Sequence, residues 1–453
     1  MVPVSDRALN PTLSAPTGPG TLLLPHNDII DVDGLAARID AACGAAKGPA
    51  AVRAAAVAEL NAAQDAARVQ LAEAATAAPL QARRILRAYA FLTDTLVTQS
   101  LRVVQTYIQP STAASDADRM SVMAVGGYGR GEMAPYSDVD LLFLTPWKIT
   151  ANIESLIEHT LYILWDLHLK VGHASRTVKE CLRLGKSDYT IRTTFLEMRL
   201  LTGDNALAKD LTNALTGQLF SGTTGEFVEA KLEERGTRHR KQGGQRYMLE
   251  PNVKEGKGGL RDLQTLYWIA KYDQGVTRAA DLVEKGVFSP EEFDAFDQAE
   301  RFLWAIRCQL HLIAGRAQDV LSFDMQVRVA DILGYRDHSG RMAVEHFMQD
   351  YFRHATKVGE LTRIVLTGLE ARLVKQEPAI LGFLRGRNRR KKLKPGYEVV
   401  HNRLRIADPG TFFDDKLNIL RLFEEGLRTG YLIHPAAMRE VSARLDLIDD
   451  TMR

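Results

Sequence analysis

The stretch Met123-Ala-Val-Gly-Gly-Tyr-Gly-Arg-Gly-Glu-Met-Ala-Pro-Tyr-Ser-Asp-Val-Asp-Leu-Leu-Phe-Leu144 decides the fold of this chain. An apolar run breaks at Gly126-Gly127, and a second apolar run follows two aspartates, Asp138 and Asp140. The pattern predicts a buried strand, a glycine-rich turn and a second strand that opens on two acids.

The two aspartates are the candidate reactive groups of this stretch. Because residues i and i+2 of a strand share a face, Asp138 and Asp140 project together, about 7 Å apart at Cα. Two such carboxylates repel unless a cation binds between them, and Mg²⁺ prefers carboxylates, waters and phosphate oxygens. At Gly126-Gly127 no Cβ keeps a phosphate from the backbone N–H groups. This combination resembles the nucleotidyltransferase superfamily, which moves a nucleoside monophosphate to an acceptor. Either feature alone also occurs in ordinary strands and turns.

Composition indicates a globular protein with several domains. The 453 residues are 45% hydrophobic and 25% charged, which is ordinary for a soluble protein of about two to four domains. A net charge of +2 argues neither for nor against nucleic acid. No apolar run reaches the roughly 18 residues of a membrane span. Cys43, Cys181 and Cys308 lie far apart, which fits a reducing cytoplasm without disulfides or a zinc site.

The predicted fold class is α+β, with a nucleotidyltransferase-type mixed sheet and flanking helices followed by an all-helical domain. The predicted domains are a disordered leader (1–23), an N-terminal helical region (24–110), a nucleotidyltransferase domain (111–215), a helical domain completing the nucleotide site (216–375), and a basic linker with a helical segment (376–453). Helices are expected at 28–78, 80–106, 153–169, 195–203, 260–272 and 417–453, and extended segments at 170–177 and 397–407.

A second motif is Pro251-Asn-Val-Lys-Glu-Gly-Lys-Gly-Gly-Leu-Arg-Asp-Leu-Gln264. Its loop enters a helix at Gly258-Gly259, where unpaired N–H groups and lysines would attract an anion. Lys254 could reach a phosphate as a point charge. A tight structural turn is the alternative interpretation of this loop.

Together, the two motifs resemble the bacterial [protein-PII] uridylyltransferase/uridylyl-removing enzyme family. The segments Phe302-Leu-Trp-Ala-Ile-Arg-Cys-Gln-Leu-His311 and Leu321-Ser-Phe-Asp-Met-Gln326 are also similar to that family. The resemblance runs from about Leu24 to the end of the chain. It implies UTP as the donor, Mg²⁺ as the cofactor and a tyrosine of the PII signal protein as the acceptor.

The candidate site residues follow from the two motifs and the resemblance. Asp138 and Asp140 are the predicted catalytic and metal-binding residues. The predicted nucleotide-binding residues are Gly126, Gly127, Arg130, Ser137, Lys254, Gly258, Gly259 and Arg261. Arg130 has an equally good structural interpretation, in which it pairs with Glu132 or Asp138.

A third carboxylate is expected but cannot be assigned. In the superfamily it usually lies on a strand such as 170–177, which contains no acid here. The nearest candidates are Asp166, Asp188 and Glu197. Glu197 falls in a predicted helix, where a solvated surface charge is the alternative.

Two further expectations concern activity. Family enzymes continue into a metal-dependent hydrolase domain, named for an adjacent His-Asp pair, and then into glutamine-sensing ACT domains. In this sequence no histidine is immediately followed by an aspartate. The sequence therefore predicts uridylyl transfer without uridylyl removal or glutamine sensing. Rival hypotheses are transfer to RNA or a small molecule, supported by the basic run 385–394, and a non-catalytic module that binds nucleotide or PII. The run lacks interleaved aromatic residues, which disfavours nucleic acid.

Overall fold

The computed structural model describes residues 22–110, 116–275, 281–373, 393–400, 403–429, 431–442 and 444. The chain clusters into two compact units, Met1–Gly359 and Glu360–Arg453. Most of the predicted leader and residues 385–392 of the basic run lie outside the described residues. Within the described residues, no helix has both the length and the apolar character needed to cross a membrane.

The first unit begins with helices. They are α1 (His26–Ile29), α2 (Val32–Ala45), α3 (Pro49–Ala77) and α4 (Ala82–Val103). The single helix predicted for 28–78 is wrong, because Gly48 has a positive φ of 84° and Pro49 starts a new helix. The helix predicted for 80–106 is α4, which is largely buried.

A mixed sheet follows these helices. Its strands are β1 (Ser121–Ala124), β2 (Val139–Thr145), β3 (Val171–Thr177) and β4 (Arg199–Gly203), in the order β3-β2-β1-β4. β1 is antiparallel to both of its neighbours, whereas β2 and β3 are parallel. A parallel pair needs a long crossover, which α6 (Ala151–Asp166) supplies. The sheet and its surrounding helices confirm the predicted α+β class.

Strand β4 corrects the helix predicted for 195–203. Helix α8 ends at Leu196, and β4 then pairs with β1. Arg199 of β4 also forms two hydrogen bonds of 2.8 and 2.9 Å with Asp94 of α4. Long-range strand pairing and this buried ion pair therefore override the local helical pattern.

The remaining elements of the first unit are helices. They are α5 (Gly126–Gly129), α7 (Val178–Ser187), α8 (Tyr189–Leu196), α9 (Asn205–Leu215), α10 (Thr224–Lys241), α11 (Leu260–Gln274), α12 (Asp281–Glu284), α13 (Pro290–Ala314) and α14 (Phe323–Ile332), and α15 (Ala343–Leu373) continues into the second unit. Ser289 caps α13 through reciprocal hydrogen bonds with Glu292, and Pro290 occupies its first turn. The helix predicted for 260–272 is α11.

The second unit contains a small sheet of its own. Strands β5 (Tyr397–Val400), β6 (Arg403–Ile406) and β7 (Leu432–Ile433) pair in that order, and the helices are α16 (Pro409–Phe412), α17 (Asn418–Thr429) and α18 (Pro435–Ser442). Within the described residues, the predicted extended segment 397–407 contains β5 and β6, which pair in an antiparallel manner. The helix predicted for 417–453 is wrong over Leu432–Ile433, because β7 pairs there with β6.

Candidate functional site

Asp138 and Asp140 lie at the start of β2. The N–H of Val125 donates to the carbonyl of Asp140 (3.1 Å), and the N–H of Val139 donates to the carbonyl of Lys170 (2.8 Å). These bonds fix the backbone that carries both acids. Burial, and secondly the charge of Asp138, raise the pKa of Asp140 above its usual range. Two carboxylates close enough to repel form a donor set that suits a hard divalent cation such as Mg²⁺.

Two glycines leave room for the Asp140 carboxylate. Gly126 has a φ of 60°, a conformation that glycine adopts without strain, and a Cβ there would lie 3.4 Å from Asp140 Oδ2. Gly172 of β3 is the register partner of Asp140, and its Cβ would lie 2.6 Å from Oδ1. Sequence reasoning missed Gly172, because only the parallel register of β2 and β3 brings it beside Asp140.

Lys170 is a second residue that sequence reasoning missed. Its Nζ lies 3.0 Å from Asp138 Oδ1, although the lysine side chain is 81% exposed. An ion pair this exposed contributes little to stability. Its charge, like that of Lys254, opposes the rise in the pKa of Asp140.

The turn between α5 and β2 positions two other predicted residues. The N–H of Ser137 donates to the carbonyl of Ala134 (3.0 Å), which closes a turn directly before Asp138. Gly127 lies in α5, where a Cβ would make only ordinary contacts, at 3.6 Å from an Arg130 nitrogen. Their contacts with a nucleotide stay predictions.

Arg130 forms a buried ion-pair network. Its Nε donates to Glu132 Oε2 (3.0 Å), and its Nη1 donates to Glu197. Glu132 and Asp138 are the two predicted structural partners of Arg130, and the structure shows the ion pair with Glu132. Glu197 is buried rather than solvated, which corrects the interpretation of Glu197 as a surface charge. A contact between Arg130 and a nucleotide stays a prediction.

The three candidates for the third carboxylate all have other partners. Asp166 pairs with Arg53 at 3.3 Å, and Asp188 caps α8 by accepting hydrogen bonds from two of its N–H groups. Glu197 pairs with Arg130. Within the described parts of the chain, no group of three or more His, Cys, Asp or Glu side chains could hold a metal. The third position therefore stays open.

Asp262 organises the second motif from inside the protein. Its fully buried carboxylate accepts hydrogen bonds from the N–H of Gly258 (2.9 Å) and from Arg238 (2.6 Å) and Arg235 (3.1 Å), and it lies 2.9 Å from His239 Nε2. Burial alone would raise the pKa of Asp262, but the hydrogen bond with His239 and the charge of Arg235 hold it well below its usual range. The carboxylate thus joins α10 to the loop before α11.

The glycines of this loop allow close packing. Gly258 has a φ of 86°, and a Cβ there would lie 2.3 Å from the carbonyl oxygen of Ala355. The N–H of Gly258 donates to Asp262, and that of Gly259 donates to the carbonyl of Gly256 (2.9 Å). In this structure the N–H of Gly258 has a partner in the first turn of α11 and that of Gly259 has one in the loop, so the expectation that they are unpaired is wrong. A nucleotide contact at either glycine stays a prediction.

Lys254 links the two motifs electrostatically. Its positive charge opposes the rise in the pKa of Asp140 that burial causes. Burial, and secondly the charge of Arg307, lower the pKa of Lys254 itself. Arg261, the other predicted cation of this loop, pairs with Glu255 at 3.1 Å.

Comparison with known families first defines the class. Residues 113–201 match the family described as "Nucleotidyltransferase domain", and residues 226–366 match "GlnD PII-uridylyltransferase". The chain therefore contains a nucleotidyltransferase domain, and this domain includes the acidic pair and the glycine turn.

Comparison with curated proteins then shows to which nucleotidyltransferases the chain is similar. Three proteins named "Bifunctional uridylyltransferase/uridylyl-removing enzyme" are similar to this chain. The protein of Cereibacter sphaeroides is 56% identical over 95% of the chain and 46% of its own length. The protein of Ruegeria pomeroyi is 56% identical over 94% of the chain and 46% of its own length. The protein of Rhodopseudomonas palustris is 44% identical over 85% of the chain and 43% of its own length. The chain is homologous to part of these enzymes and spans about half the length of the curated relatives it matches.

Proposed function

We propose that this chain transfers UMP from UTP to a tyrosine hydroxyl of the PII signal protein, with release of pyrophosphate. The observation that carries this proposal is the charge arrangement of the site. Two aspartates open β2 beside a glycine turn, where a Cβ at Gly126 would lie 3.4 Å from Asp140 Oδ2. The positive charge of Lys254 opposes the rise in the pKa of Asp140. Such a site suits a metal-bound triphosphate. The names of the relatives indicate uridylyl transfer, and the description of the family that matches residues 226–366 names PII.

Asp138 and Asp140 hold a divalent cation in this proposal, and we propose Mg²⁺. When bound, such an ion neutralises phosphate charge and favours the ionised form of the attacking hydroxyl. Gly126, Gly127 and Ser137 line the triphosphate on the side of the sheet.

Residues of the second motif complete the nucleotide site. Lys254 meets the phosphates as a flexible point charge, because its ammonium is only loosely held in this structure, 3.9 Å from Asp319 Oδ2. Arg130 and Arg261 add positive potential while remaining paired with glutamates. Gly258 and Gly259 let the loop approach the nucleotide closely.

The reaction requires little covalent chemistry from the protein. The tyrosine oxygen attacks the α-phosphorus in line, the bond from that phosphorus to the bridging oxygen breaks, and pyrophosphate leaves. The tyrosine proton passes to solvent. Positioning of the donor and neutralisation of its charge therefore supply most of the rate enhancement.

The test is transfer of label from α-³²P-labelled nucleotides in the presence of Mg²⁺ and purified PII. We expect label on PII with UTP, much less with ATP or CTP, and none on PII whose tyrosines are changed to phenylalanine. Label on added RNA would instead support a different acceptor. Nucleotide binding without any transfer would support the regulatory module, which the open third carboxylate position favours.

Uridylyl removal is tested separately. No histidine of this sequence is immediately followed by an aspartate, so the adjacent pair typical of the hydrolase domain is not found in it. We therefore propose that the chain does not release UMP from uridylylated PII. Incubation of labelled, uridylylated PII with the chain and Mg²⁺ or Mn²⁺ checks this, since release of labelled UMP would contradict it.

A further inference from the structure

A buried histidine near the end of α13 touches both halves of the candidate site. His311 is fully buried, and its Nδ1 accepts a hydrogen bond from the N–H of Tyr136 at 3.3 Å. Its Nε2 lies 3.4 Å from Asp319 Oδ1. A histidine that accepts at Nδ1 and faces a carboxylate at Nε2 carries its proton on Nε2 and is neutral. One ring thus contacts the turn that precedes Asp138 and, on its other side, Asp319.

Asp319 connects this histidine to the lysine of the second motif. Its Oδ1 accepts a hydrogen bond from Arg307 (2.7 Å), which fixes the carboxylate, and its Oδ2 lies 3.9 Å from Lys254 Nζ. The carbonyl of Asp319 also accepts a hydrogen bond from the N–H of Val253 (2.8 Å). Asp319 therefore holds the backbone beside Lys254 and faces its ammonium group.

The distance between Lys254 and Asp319 is informative. At 3.9 Å the two groups attract each other without forming a short hydrogen bond. The ammonium group of Lys254 can therefore turn toward a phosphate, while the attraction to Asp319 limits the directions in which it points. Arg307 remains bound to Asp319, so the carboxylate is not left unpaired when the lysine turns away.

We infer that His311 and Asp319 are positioning residues that hold the turn before Asp138 and the ammonium of Lys254 in a fixed relation. The two halves lie in different family segments, residues 113–201 and 226–366, and the pair bridges them. A buried neutral histidine supplies two directional contacts without an uncompensated charge. Such precision matters because a displacement of about 1 Å can cost on the order of 10²-fold in rate. The identity of the nucleotide rests on the proposed function.

The first test is a double-mutant cycle on Asp319 and Lys254. The readout is the Kd of a fluorescent UTP analogue measured with Mg²⁺ and without PII. Asp319→Asn should raise the Kd about tenfold in the wild-type background and have almost no effect in the Lys254→Ala background, because the aspartate acts through the lysine. An equal rise in both backgrounds would overturn the inference, as would a Kd that Lys254→Ala leaves unchanged.

The second test separates the two contacts of His311. In His311→Asn, the amide oxygen replaces Nδ1 as the acceptor for Tyr136. In His311→Gln, the amide reaches toward Asp319 and the acceptor for Tyr136 is lost. The Gln variant should raise the Mg²⁺ concentration for half-maximal nucleotide binding about tenfold, whereas the Asn variant should keep it within about twofold. Equal half-maximal Mg²⁺ concentrations for the two variants, with unchanged melting temperatures, would contradict the positioning role of the hydrogen bond between His311 and Tyr136.

Failure of the proposed function is distinguishable from failure of this inference. Both tests measure nucleotide binding and need no acceptor protein. A wild-type chain that binds the analogue and shows both patterns, but never labels PII, would refute the proposed acceptor and leave the positioning roles intact.

Discussion

At the scale of the residue, the Asp140 carboxylate has little free space on the side of β3. Gly172 lies opposite Asp140 in the parallel register, and a methyl group there would come within 2.6 Å of its carboxylate. Nothing else in the sheet requires this position to be glycine, because the residue lies in a regular strand. The lack of a side chain at Gly172 is therefore a requirement of the acid beside it.

Gly172→Ala should displace the Asp140 carboxylate and weaken metal binding. We expect activity at limiting Mg²⁺ to fall by about tenfold or more, with partial recovery at high Mg²⁺. Titration of UMP transfer with Mg²⁺ measures this. Gly225→Ala in α10 is the matched control, since a Cβ at Gly225 meets no atom within 4 Å. Equal Mg²⁺ dependence of the two variants would contradict the steric argument.

Asp140 should also lower the stability of the metal-free protein. Because burial and the charge of Asp138 raise the pKa of Asp140, its ionised form is disfavoured in the folded state. Without metal at pH 7.5, Asp140→Asn should raise the free energy of unfolding, by less than about 1 kcal/mol because solvent screens a partly exposed carboxylate. Mg²⁺ should stabilise the wild type and not the variant. Thermal melts with EDTA and with Mg²⁺ measure both effects.

The pH dependence of this effect has a defined sign. A carboxyl group with a raised folded-state pKa destabilises the folded protein above its unfolded-state pKa, and the penalty disappears as falling pH protonates it. The stability difference between Asp140→Asn and the wild type should therefore shrink from pH 7.5 toward the acid range. A difference that grew on acidification would contradict this account.

At the scale of the element, the Asp262 carboxylate holds α10 and α11 together. Asp262→Asn removes the charge that compensates Arg235 and Arg238, both largely buried, and weakens the hydrogen bond with His239. We expect a loss of about 3 kcal/mol in unfolding free energy, because breaking a buried ion pair leaves unpaired charge. Urea unfolding measures it.

The control for this prediction is Glu233→Gln, which changes an exposed acid of α10. Because the pKa of Asp262 is lowered in the folded state, its stabilisation is fully present above the usual aspartate range and is lost as falling pH approaches the folded-state value. Similar unfolding curves for the two variants at pH 7 would show that Asp262 is not the structural centre of the loop.

Local patterns predicted some elements and failed at others for a physical reason. The apolar runs of β1 and β2 and the amphipathic pattern of α11 are visible in the sequence, because each pattern is set by its own residues. Strand β4 was predicted to be helical because its ladder with β1 and the ion pair of Arg199 with Asp94 depend on distant residues. The break between α2 and α3 has a local cause instead, because Gly48 has a positive φ and Pro49 starts a new helix.

At the scale of the whole molecule, the sequence predicts the fold class and the two motifs, but it does not predict the contacts that connect the two motifs in the folded chain. Spacing and residue type predict Asp138, Asp140 and Lys254 as site residues, and these stay predictions. The neighbours that tune them, such as Gly172 and Asp319, lie far away in sequence and carry no local signal. The same is true of the pairing of Arg130 with Glu197, which only the packing of α5 against residue 197 creates.

The acidic pair is the central claim, and one comparison tests it most directly. Label transfer from α-³²P-labelled UTP to PII is measured for the wild type, for the double variant Asp138→Asn and Asp140→Asn, and for Asp65→Asn, which changes an exposed aspartate of α3. We predict label on PII with the wild type and with Asp65→Asn, and none above background with the double variant. Transfer by the double variant at a rate near that of the wild type would contradict the account.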